Sequence, residues 1–224
     1  MQFNQTQIEA EGVEHSGHSA ADRLSLADWR RRMAEMYVAI REAAEANQPA
    51  ALAHFRAERD QLFKLHAQSP LDPAQRAVFK NLPYYAYQPS WRVVGRIDPD
   101  VPQHTFHVKL PADGDFYYTR IGQVHFTVQG VEAHLSLFWI EGYGGGLFLP
   151  FKDQTNGQSS YGGGRYLYDT IKSADLGADP DRIVLDFNYA YNPSCAYSPQ
   201  WVCPLSPPEN SLTFAVEAGE LAFE

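Results

Sequence analysis

The chain has 224 residues, 44% of them apolar, and its 27 acidic against 18 basic side chains give a formal charge of −9. That length suits one large domain, or a medium one with a helical extension. It hides roughly 70% of the unfolded chain's surface, so a core needs no disulfide or metal staple. The acidic balance repels phosphate backbones and anionic lipid, which argues against nucleic acid and membranes as partners.

Residues 1–23 carry Glu9, Glu11, Glu14, Asp22 and two histidines with few apolar anchors, the composition of a flexible tail. The stretch has neither the basic start nor the apolar run of a secretory leader. No segment approaches the roughly 18–20 apolar residues of a membrane helix, so a cytoplasmic location is expected. Residues 24–90 read as a helical segment. Ser25 stands three residues before Asp28, as in a capping box, and Leu26, Trp29, Met33, Tyr37, Ile40 and Ala44 recur at helical steps up to Pro49. Arg30, Arg31 and Arg32 on the other face read as solvated surface. A second helix is expected over 49–66, with Leu52, Phe55, Leu62 and Phe63 for packing. Asp72 and Pro73 then open a short third helix through Leu82.

From Trp91 the pattern changes to short alternating segments punctuated by Gly, Pro and Asp, so residues 91–224 are expected to form the β-domain. The fold class is mainly β, an antiparallel barrel or sandwich with an N-terminal helical segment, the alternative being a more open α+β sheet. Strands are expected at 91–97, 104–110, 116–128, 131–140, 146–151, 164–171, 182–189 and 212–218. The clearest hairpin turns at Gln129 and Gly130, with Val124, Phe126, Val128, Val131, Ala133, Leu135 and Leu137 on the core face. That register sets His125 opposite His134 on the other face. Without a third ligand fixed by spacing, the pair is better read as outward histidines than as a metal site.

Candidate chemistry gathers in the C-terminal half. Tyr-Gly-Gly-Gly occurs at Tyr143 to Gly146 and again at Tyr161 to Gly164, where three glycines allow a bulge, a tight turn or an anion nest. Neither copy has a P-loop or dinucleotide ending, which favours the turn. Arg165 follows the second copy, free to offer a planar fork to an anion or to pair internally with Asp153 or Asp186. Asp186 and Asn188 leave one side of the same expected strand. Beyond them, a proline- and aromatic-rich loop holds Tyr191, Asn192, Cys195, Trp201 and Cys203, the two cysteines with seven residues between them. A disulfide there contributes about 2.5 kcal/mol in an oxidising compartment.

The ordered strings LFLPFKDQT from Leu147, YGGGRYL from Tyr161 and LDFNYAYNPSCAY from Leu185, then Cys203-Pro204 and Pro208-Glu209-Asn210, resemble the bacterial and archaeal family called domain of unknown function 1684. The resemblance spans about residues 120–220 and extends more weakly to the segment beginning at His66, where Ala67 stands in place of a common family proline. It brings no reaction, cofactor or catalytic residue. It does mark Asp153, Thr155, Tyr161, Gly163, Gly164, Arg165, Asp186, Asn188, Tyr191, Asn192, Cys195, Cys203, Glu209 and Asn210 as the family pattern, and so many polar positions imply a shared site.

The leading expectation is a pocket for a small polar or anionic molecule, lined by Asp153, Tyr161, Gly163, Gly164, Arg165, Asn188, Tyr191 and Asn192 and closed by the cysteine loop. The first alternative is a cofactor-independent hydrolase or lyase, with Asp186 or Glu209 as general base and Arg165 stabilising negative charge. The second is a protein-interaction module using the loop's aromatics. No motif specifies a cofactor, flavin in a split barrel being a minor variant, and no metal is expected.

Overall fold

The computed structural model describes residues 19–43, 45–110 and 114–223. The first helix, α1, spans Ala20–Glu42 and starts earlier than the spacing predicts. Ser19 accepts the Asp22 amide at 3.1 Å, and Asp22 accepts the Ser19 amide at 2.9 Å. This capping box has the same spacing as the Ser25 and Asp28 pair and lies upstream of it, so residues 20–23 are helix rather than tail. The remaining tail positions, 1–18, lie outside the described residues, as does Ala44. The helix α2 runs Gln48–Leu65, with Pro49 in its first turn. The short α3, Pro73–Val78, is capped by Asp72 but stops before the expected Leu82. There Pro83 disfavours helical geometry at its neighbour, and the Leu82 amide turns away to donate to Asp60 Oδ1 at 2.8 Å.

Seven strands form one antiparallel sheet that curls into a half-barrel. They are β1 (Arg92–Asp98), β2 (His104–Leu110), β3 (Gly114–Val128), β4 (Val131–Ile140), β5 (Gly146–Phe151), β6 (Arg165–Asp169) and β7 (Arg182–Asp186). The order is β6-β5-β4-β3-β1-β7. The long β3 pairs with β4 along one edge and takes β2 and then β1 along the other. A register shift between Arg120 and Gly122 bends it. The β3–β4 hairpin has the predicted register, Val128 opposite Val131 and His125 opposite His134, with Gln129 and Gly130 both at positive φ as a two-residue turn demands. Val131, placed in the core by alternation, is 43% exposed because it adjoins that turn.

The edges of the half-barrel are tied by Tyr168 on β6, whose hydroxyl sits 2.7 Å from Val184 O and 2.9 Å from Gly177 O. Met33, Tyr37 and Ile40 of α1 and Leu52, Phe55 and Leu62 of α2 join one apolar core with Phe148, Phe151, Leu185 and Phe187 of the sheet and its following turn. Among the described residues no helix is long and apolar enough to cross a membrane.

Two expected strands are shortened and one is replaced. Residues 170–172 and 187–189 form 3-10 turns. Residues 212–218 form no strand, although their apolar alternation suggests one. The carbonyls of Val216 and Ala218 are taken by the Arg165 guanidinium, and the Val216 amide by Asp153 Oδ1, so the hydrogen bonds a ladder would use are already spent.

Candidate functional site

Arg165 begins β6 and is fully buried. Its Nη2 donates to Asp153 Oδ2 and to Val216 O, each at 2.9 Å, and its Nη1 donates to the Ala218 and Glu220 carbonyls. Phe151 lies beneath it, with its ring centroid 5.3 Å from the guanidinium carbon. Only Nε lacks a partner. The fork expected to meet an anion therefore organises the C-terminal segment instead, and of the two internal partners considered it has Asp153. Asp153 is equally committed, since its Oδ1 accepts the Thr155 amide at 2.8 Å and the Val216 amide at 3.1 Å.

Asn188 plays a similar bridging role. Its Oδ1 accepts the Gln88 amide at 3.0 Å and its Nδ2 donates to Gln88 O and Asp186 Oδ1, each at 2.9 Å. Asp186 caps the 3-10 turn Phe187–Tyr189. Burial pushes its carboxyl above the usual range; its Oδ2 has no hydrogen bond, and Arg92 Nε stands 3.6 Å away. Glu209 is at the surface with Arg120 Nη1 at 3.3 Å. Asp186 and Glu209, the two alternatives for a general base, have no hydrogen-bond or ion-pair partner in common among the described residues. Asn210 stitches β4 to β5 by accepting the Ser136 amide at 2.8 Å and donating to the Ser136 and Pro150 carbonyls. His125 and His134 have ring centroids 5.9 Å apart, and His125 lines an open groove with Arg96, Thr127 and Glu132. Among the described residues no three metal-donor side chains gather.

The features of a site lie elsewhere, in a small cleft between the helices and the family motif. Trp29 and Met33 of α1 and Arg59 and Phe63 of α2 form one wall. Tyr166 and Asp169 of β6, Lys172 and the stretch from Tyr191 to Ser194 form the other, around a cavity of about 60 Å³. The second wall is held by reciprocal backbone bonds between Tyr166 and Tyr191, at 2.9 and 3.1 Å. The 3-10 turn Thr170–Lys172 brings Lys172 Nζ back to 3.2 Å from Asp169 Oδ2. That carboxylate holds the lysine's pKa above its ordinary value.

Two acceptors on residues lining the cleft, Asp169 Oδ1 and Asn192 Oδ1, have no hydrogen-bond partner among the described residues, although both residues are almost wholly buried. Beneath them Glu220 is completely buried. Its Oε2 accepts Arg59 Nη2 at 2.9 Å and the Asn192 amide at 3.1 Å, and its Oε1 accepts the Tyr197 hydroxyl. Burial pushes its carboxyl upward, opposed chiefly by Arg59. Arg59 further donates to the Tyr84 and Tyr197 hydroxyls.

The cysteine loop borders this region. Pro193 caps the 3-10 turn Ser194–Ala196, and Trp201 Nε1 donates to Pro70 O at 3.1 Å, docking the loop on the helical segment. Cys195 and Cys203 are both free thiols. The second glycine string forms a tight turn. Gly164 has φ +93°, and a Cβ there would lie 2.6 Å from Phe151 O.

Of the expected residues, Tyr191 and Asn192 reach the cleft, while Asp153, Arg165, Asp186 and Asn188 build the framework behind it. Sequence reasoning missed Arg59, Asp169, Lys172 and Glu220. Asp169 and Lys172 stand three apart next to a strand end. Glu220 is a lone charge between Gly219 and the apolar Leu221 and Ala222.

A family model described as "Protein of unknown function (DUF1684)" matches residues 77–221. The chain belongs to this family. It is also similar to the solution NMR structure of an uncharacterized protein of Haloarcula marismortui, at 35% identity and TM-score 0.57, covering 79% of this chain and 95% of that one. Among curated proteins none matches. The matched residues include the Asp169, Lys172, Tyr191 and Asn192 wall of the cleft, whereas Arg59 and Trp29 lie outside the matched range.

Proposed function

We propose that this protein binds a small polar molecule bearing N–H or O–H donors in the cleft between α1, α2 and the Asp169 and Asn192 wall. The reading rests on one observation, that two buried acceptors without a hydrogen bond among the described residues, Asp169 Oδ1 and Asn192 Oδ1, belong to residues lining one small cavity. A buried acceptor without a donor costs about 1–3 kcal/mol, which a ligand or ordered water supplying that donor recovers. The cavity, about 60 Å³, admits a few waters or the polar head of a small molecule. Lys172, half exposed beside Asp169, adds a cation, so a zwitterion carrying both an amine and a carboxylate fits the charge arrangement. The anion expected at Arg165 is thereby relocated to Lys172.

The test is titration of isotope-labelled protein with a panel of small amines, amino acids and polyols, followed by NMR at the Asn192 side-chain amide and the Trp29 indole. A member of the panel is expected to shift both signals saturably, and Asp169→Asn is expected to weaken it by roughly tenfold, the loss of one charge-assisted hydrogen bond. Shifts absent across the panel, or equal affinity in Asp169→Asn, would overturn the reading.

A further inference from the structure

Tyr161, Gly163, Cys195 and Cys203 lie within the family-matched range and do not line the cleft. The structure brings them together. The turn after Tyr161 folds its ring back over Gly163, where a Cβ would lie 2.4 Å from Tyr161 Cε1 and 3.0 Å from Leu205 Cδ2. Only glycine fits beneath that ring. The fold-back carries the Tyr161 hydroxyl to 3.5 Å from Cys195 Sγ. Cys195 is fixed in the 3-10 turn Ser194–Ala196, and Cys203 is fixed by its neighbour Pro204, whose carbonyl accepts the buried Tyr166 hydroxyl. The chain between them loops out, with Trp201 and Val202 more than a third exposed, and both thiols are themselves partly exposed.

We infer that Cys195 and Cys203 form a reversible dithiol site that reacts with small-molecule disulfides, Cys195 as the attacking sulfur and Cys203 as the resolving one, with Tyr161 as the donor that steadies the attacking thiolate. The Tyr161 hydroxyl, placed on the Cys195 sulfur at 3.5 Å, assigns the order, and the electrostatics run the same way. The Cys203 thiol hydrogen-bonding to Cys195, the Tyr161 hydroxyl and the Lys172 charge hold the Cys195 thiol down at about 6, against burial. The same Cys195 sulfur, together with burial, pushes Cys203 well up, and burial and Cys195 push Tyr161 up to about 12. A thiol held down in this way beside a second thiol is well placed for exchange.

The chemistry balances in two steps. The Cys195 thiolate attacks one sulfur of the disulfide, forming a mixed disulfide and expelling one thiolate, which takes a proton from solvent. Cys203 then loses its proton to the second leaving thiolate as it attacks the Cys195 sulfur, closing the intramolecular bond. Two protein thiols are oxidised and one external disulfide is reduced to two thiols. This proposal is independent of what occupies the cleft.

The experiment exposes the reduced full chain to oxidised glutathione at neutral pH and follows it by intact mass and peptide mapping, with circular dichroism confirming the fold of each variant. The parent is expected to lose two hydrogens and yield a Cys195–Cys203 cross-linked peptide without retained glutathione. Cys203→Ser, which keeps a hydroxyl donor beside Cys195, is expected to stop at a mixed disulfide on Cys195. Cys195→Ser is expected to react at Cys203 roughly tenfold more slowly or not at all. Tyr161→Phe in the Cys203→Ser background is expected to slow adduct formation several-fold. Equal rates for the two serine variants, or a parent carrying glutathione on both cysteines without a cross-link, would overturn the proposal.

Discussion

Replacing Arg165 by Met removes a guanidinium that is entirely enclosed. Asp153, which it neutralises at 2.9 Å, is left as a buried carboxylate with only two backbone amides as donors. Breaking one side of a buried ion pair costs about 3–5 kcal/mol, because the remaining charge is uncompensated. The carbonyls of Val216, Ala218 and Glu220 lose their donor as well, at about 1 kcal/mol each where water can enter the vacated volume. The loss is about 6–8 kcal/mol, comparable with the whole stability of an ordinary domain. At about 2–4 °C per kcal/mol for a chain of this size, the thermal midpoint is expected to fall by about 12–32 °C. Far-UV circular dichroism against temperature, with urea titration to verify an unchanged slope, measures it. Arg165→Met combined with Asp153→Leu is expected to recover part of the deficit by removing the stranded charge. A single variant melting within a few degrees of the parent would refute the assignment of Arg165 to the framework.

Gly164→Ala places a Cβ 2.6 Å from Phe151 O at φ +93°, and is expected to destabilise by about 3–5 kcal/mol, read as a shifted urea midpoint; a change below about 1 kcal/mol would contradict the turn geometry. Asn188→Ala removes the acceptor of the Gln88 amide and one donor each from Gln88 O, which keeps the Trp91 amide, and Asp186 Oδ1, which keeps the residue-188 amide, and is expected to cost about 1–3 kcal/mol in the same assay. Asp186 also sets a pH dependence. Burial raises its folded pKa above the ordinary 3.8, so the folded chain holds that proton more tightly than the unfolded one. Its contribution to stability is present below pH about 3.8 and is lost as pH rises through the folded pKa, and Glu220, raised by burial too, acts in the same sense. Asp186→Asn is expected to flatten the fall in urea midpoint between pH 4 and neutrality; a slope equal to the parent's would show that Asp186 does not carry it.

The sequence by itself determined what depends on local periodicity and turn chemistry. Strands 104–110, 131–140 and 146–151 have the expected bounds, and the hairpin at Gln129 and Gly130 has the expected register, because a period of two and a two-residue turn leave one pairing that buries Val124 and Leu135. Family membership was also legible, since the YGGGR and NPSC strings stand out without any knowledge of their surroundings. Tertiary structure decided which buried charge meets which. Arg165 lies twelve residues from Asp153 and more than fifty from the carbonyls it binds, while Arg59 and Glu220 are 161 residues apart. Alternation in 212–218 reads as a strand until the backbone bonds of that segment are found committed to Arg165 and Asp153. Periodicity reports which face of an element is apolar, a property of neighbouring residues. The partner of a desolvated polar group is set by the path of the whole chain, and so the cleft between Arg59, Asp169 and Asn192 emerged only when the helices were laid against the sheet.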